Sequence, residues 1–119
     1  MRYGLEMAFN LVVRGEEMTP AELLEQIDRV TEEYAKLEVG DDRLVDVAFG
    51  ANAKDMELEI ELTVDAADPG DAAQLGWTTV RTAIHAAGGC TPNWEEGAPD
   101  VHILCYELDE QTVRPLLNA

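Results

Sequence analysis

The sequence predicts an α+β domain whose four strands and two helices follow one another as βαββαβ. Three observations lead there. Two stretches, at the N-terminus and around position 60, alternate apolar and polar residues with a period of two. Two others repeat apolar residues at helical spacing behind an N-cap and a proline. The connections are short, and right-handed crossovers leave few ways to arrange that order, the commonest being the split βαβ, or ferredoxin-like, sandwich. Its expected form is a four-stranded antiparallel sheet with two helices on one face and a short C-terminal tail, all 119 residues making a single domain. Strands are expected at about 3–13, 44–50, 56–65 and 101–108, and helices at about 20–38 and 69–87. The name describes a topology: an iron–sulfur cluster needs about four cysteines, and this chain has two.

Each element has its own local cause. In the first strand Leu5, Met7, Phe9, Leu11 and Val13 fall on one side, with Glu6, Ala8, Asn10 and Val12 opposite. The first helix opens on a capping box, with Thr19 as N-cap, Pro20 at the first helical position and Glu22 reaching back. Leu23, Leu24, Ile27, Val30, Tyr34 and Leu37 then share a face until Gly40. In the second strand Val45, Val47 and Phe49 alternate with Leu44, Asp46 and Ala48. A hairpin leads into Met56–Val64, where apolar residues alternate with Glu57, Glu59 and Glu61 without a fault. Asp68 caps the second helix and Asp71 lies near the positive end of its dipole. Its stripe of Ala72, Ala73, Gly76, Trp77, Val80, Ala83, Ile84 and Ala87 allows close approach to a sheet, which makes Trp77 an expected core residue, and Gly88-Gly89 stops the helix. The last strand is apolar on both sides, so it wants a second cover: the tail (Val113, Leu116, Leu117) or a second chain.

The net charge of −17 excludes a nucleic-acid binder working through a basic surface and argues against an anionic membrane. The N-terminal apolar stretch is broken by Glu6 and Asn10, and no run is long enough for a membrane span. A cytoplasmic location is therefore expected, and a Cys90–Cys105 disulfide is disfavoured there. The acidity has three sources to weigh: a salt-rich cytoplasm, a GC-rich genome, or a basic partner.

The topology places Glu57, Glu59, Glu61, Asp46 and Glu6 on the uncovered sheet face, and that row is the expected interaction surface. At one end of the sheet the loops gather Trp94, Glu95, Glu96 and Asp55 with Glu16, Glu17, Asn52, Lys54 and Cys90. No cofactor, metal or catalytic residue is expected. His102 and Cys105 point to opposite faces of a strand, and Cys90 follows a helix C-terminus among glutamates, which raises a thiol pKa. Glutamates stand where an RNA-binding sheet would carry aromatics.

The expected function is a non-enzymatic protein-interaction or regulatory module, its homodimer formed through the last strand or tail. One alternative is an immunity-type inhibitor of a basic partner, since acidic surfaces steer such encounters. The other is a small enzyme of dimeric α/β-barrel type, with His85, His102, Tyr106 or Trp94 lining a pocket between sheet and helices.

Overall fold

In a computed structural model, which describes residues 1–15, 17–92 and 103–116, the alternation of the first strand becomes two faces. Strand β1 (Arg2–Arg14) buries Tyr3, Leu5, Met7, Phe9 and Leu11 and leaves Glu6 and Asn10 exposed. Helix α1 (Pro20–Gly40) follows, then β2 (Leu44–Asn52), β3 (Glu57–Asp65), α2 (Pro69–Ala86) and β4 (Ile103–Pro115). The sheet order is β2-β3-β1-β4 and every neighbouring pair is antiparallel. This is the ferredoxin-like arrangement that the sequence predicts.

The caps form as spelled. Thr19 Oγ1 accepts from the Glu22 amide at 3.2 Å, and Glu22 Oε1 accepts from the Thr19 amide at 3.0 Å. Thr19→Ala should cost about 1 kcal/mol in urea unfolding, with Glu22→Ala losing the other half of the same box. Asp68 Oδ1 accepts from the Asp71 amide at 2.7 Å, and Gly88, at φ +88°, turns the chain out of α2. Between β2 and β3 the Asn52 side chain bonds both the Asp55 amide and its carboxylate. The Met56 carbonyl of that turn accepts from the Leu11 amide at 2.8 Å, bringing the turn to the end of β1.

Two bulges correct the expected strands. In β4 Glu110 pairs with Ala8 but Leu108 pairs with Phe9, so Asp109 is an extra residue. Before it the even-numbered Tyr106 and Leu108 face the helices; after it Val113 does, and Glu110, Thr112 and Arg114 turn to the open face. The strand expected to stop near 108 thus runs to Pro115, and Val113 is part of it rather than a tail folded over it. Without the extra residue, Glu110 would have entered the core. Similarly Leu44 pairs with Val64 and Asp46 with Thr63, which makes Val45 the extra residue. Leu44, expected on the solvent side, is buried as a result.

Cover for the start of β4 also differs from expectation. Cys90 forms a single parallel bridge to Cys105: its amide donates to the Leu104 carbonyl at 3.0 Å, and its carbonyl accepts from the Tyr106 amide at 2.8 Å. The segment leaving α2 therefore satisfies part of the edge. Leu116 meanwhile lies against the open face, where a Cβ on Gly4 would be 3.3 Å from its Cδ2. Among the described residues no helix is long and apolar enough to cross a membrane.

Candidate functional site

The small-residue stripe of α2 decides where the site is. A Cβ on Gly76 would meet Leu5 Cδ2 at 2.7 Å, so with any larger residue here Leu5 would have to shift for the helix to lie this close to β1. At that distance Trp77, the next residue, stacks on Phe9 with ring centroids 6.2 Å apart and planes inclined by 24°. Expected as core, Trp77 is only half-buried. Arg81 and His85 stand one and two turns further along the same side of α2. With Thr78 and Thr82 they line an open groove of about 320 Å³.

The C-terminal end of that groove is held by the chain that leaves α2. His85 Nε2 and Thr91 Oγ1 are 2.9 Å apart, and Thr91 is buried. This contact fixes the imidazole against the backbone segment that bridges to β4. Tyr106, beside that bridge, is fully buried on the helix-covered side, and a Cβ on Gly89 would be 2.8 Å from its ring. Its hydroxyl has no hydrogen-bond partner among the described residues. Burial alone pushes its pKa far above the usual phenol range. A buried polar group without a partner is costly. Tyr34, by contrast, shares its hydroxyl with Thr79 at 3.4 Å between the two helices. Burial raises its pKa too, with that contact opposing the shift.

The open sheet face carries the carboxylates expected on it. Glu6 and Glu61 are direct cross-strand partners, Glu57 and Glu59 continue the row, and Asp46 stands on β2 opposite Thr63. The sequence reading missed Glu107 and Glu110, which reach this face through the register set by the β4 bulge. Arg114 Nη1 lies 3.5 Å from Glu6 Oε1 and offsets some of the charge. A shallow hollow of about 180 Å³ lies between Glu6, Glu59, Glu61, Glu110, Ala8 and Thr112.

Of the loop-end candidates, Asp55 is taken up in the hairpin turn by Asn52. Trp94, Glu95 and Glu96 lie outside the described residues, as do Glu16 and His102. Of the residues named for a pocket between sheet and helices, His85 lines instead an open groove along α2, whereas Tyr106 is buried beside Gly89. Among the described residues no group of three or more His, Cys, Asp or Glu could hold a metal ion.

No protein-family model and no curated protein matches the chain. Solved structures do. A putative antibiotic biosynthesis monooxygenase from Chloroflexus aurantiacus superposes with a TM-score of 0.51 at 18% identity, covering 100% of this chain and 96% of that one. A putative chlorite dismutase superposes with a TM-score of 0.51 at 9% identity, over 94% of this chain and 42% of that one. SnoaB, a cofactor-independent oxygenase from Streptomyces nogalater, follows with a TM-score of 0.44 at 14% identity, over 99% and 95% of the two chains. At these identities the likeness is one of fold. The two that superpose at a TM-score of 0.51 are described as a putative monooxygenase and a putative chlorite dismutase, which runs against the expectation of a non-enzymatic interaction module.

Proposed function

We propose that the chain is the subunit of a small enzyme of dimeric α/β-barrel type, with its substrate seated in the groove along α2. The observation that supports this reading is the line of Trp77, Arg81 and His85 on successive turns beside a 320 Å³ groove. An indole face takes a flat ring, a guanidinium takes an oxyanion, and an imidazole exchanges protons near neutral pH. The substrate class is a planar molecule with an acidic hydroxyl, a phenol or enol. In the step assigned to the site, the substrate O–H bond breaks and the proton passes to His85. The oxyanion left behind is stabilised by Arg81.

A naphthol is a suitable probe, because its absorbance reports its own ionisation. Bound naphthol is expected to ionise at lower pH than free naphthol. Arg81→Met should weaken binding about tenfold, the equivalent of ~1.4 kcal/mol, and His85→Gln should abolish the shift. The absence of saturable binding to the folded chain would sink the reading.

In a barrel of this type two copies close their sheets on one another, which would turn the carboxylate rows inward. Unit charges 4 Å apart repel by about 1 kcal/mol even in water and more where water is excluded. Screening shortens that reach to about 3 Å at molar salt. Sedimentation is therefore expected to show more dimer in molar KCl than in dilute buffer. A salt-independent mass would place the pairing surface elsewhere.

A further inference from the structure

We propose that Cys90 and Cys105 are a redox-responsive pair that closes reversibly into an intramolecular disulfide when the chain meets a small-molecule disulfide. The geometry rests on backbone register. The two residues are directly bridged partners, flanked by hydrogen bonds of 3.0 and 2.8 Å. Bridged neighbours on adjacent strands lie about 4.8 Å apart, within the roughly 4.4–6.8 Å Cα separation that a disulfide spans. The roles divide by access. Cys90 is half-buried and Cys105 is fully buried.

The chemistry balances with the small disulfide as oxidant. The Cys90 thiolate attacks one sulfur of the reagent, forming a mixed disulfide and releasing the first thiol. Cys105 then attacks the Cys90 sulfur; the mixed bond breaks, the protein disulfide forms and the second thiol leaves with the proton. Two protein thiols are oxidised and one reagent disulfide is reduced. Burial, then the contact with Cys90, pushes the Cys105 thiol up to about 12, which leaves the first attack to Cys90. A reducing compartment does not exclude such a pair, since the disulfides found there are the transient, sensing ones.

Closure would tie the end of α2 to β4 one residue before Thr91, independently of any reaction in the groove. The test incubates the full chain with oxidised glutathione and reads intact mass and thiols after unfolding. The expected result is two thiols before treatment and none after, a mass lower by two hydrogens, and a Tm raised by roughly 10 °C. Dithiothreitol should reverse all three, and Cys90→Ser should keep its remaining thiol. Persistence of both thiols, a stable glutathione adduct on wild-type chain, or a covalent dimer would each overturn the proposal.

Discussion

Phe9→Ala is expected to lower the unfolding free energy by about 3–5 kcal/mol, a large part of the roughly 5–15 kcal/mol that holds a domain of this size. Phe9 is 1% exposed at the centre of the sheet, with Leu58 as its partner on β3 and Leu108 on β4. Removing the ring leaves a cavity that these strands cannot close without breaking register. It also removes the surface on which Trp77 stacks, so the variant should loosen the groove as well as the core. Urea unfolding measures the first effect, and Trp77 fluorescence in the folded variant measures the second. Phe9→Leu, which keeps most of the volume, should cost less than about 1.5 kcal/mol. A loss for Phe9→Ala below about 1 kcal/mol would contradict the packing described.

Gly76→Val is the second. Helix propensity alone would favour replacing a mid-helix glycine, with alanine gaining about 1 kcal/mol. The tertiary contact opposes it, since a Cβ would sit 2.7 Å from Leu5 Cδ2 and 3.4 Å from Leu62 Cδ1. Those leucines are 1% and 2% exposed and have no solvent to swing into. We expect Gly76→Ala to be a net loss and Gly76→Val to cost about 3 kcal/mol, at the upper end of ordinary overpacking. Gly40→Ala is the contrasting case: nothing lies within 4 Å of its Cβ position, so about 0.5–1 kcal/mol of stabilisation is expected. If both alanine variants gained stability, α2 would not lie as close to β1 as described.

The candidate site residues were legible unevenly. Carboxylates at 57, 59 and 61 share a face because alternation within one strand is a local property, and β3 keeps its period throughout. The groove residues recur every four positions and are equally regular, yet Trp77 was read as core. A helical repeat cannot tell a residue packed under a sheet from one at the margin of the contact. That margin depends on how close α2 comes, which Gly76 and Leu5 decide together. The same limit explains the function first expected. A conspicuous acidic row suggested a contact surface, whereas Trp77, Arg81 and His85 border a groove only once the helix is set against the sheet.

By itself the sequence determined which segments become strands and helices, where α1 and α2 begin, and which topology they share. Those signals act between residues at most a turn or a strand pair apart. Only the tertiary structure decided the two bulges, the reach of β4 to Pro115, the outward turn of Glu107 and Glu110, and the pairing of Cys90 with Cys105. The reason is physical. Register is a property of two strands, and an extra residue such as Asp109 appears only when a partner is present to be out of step with.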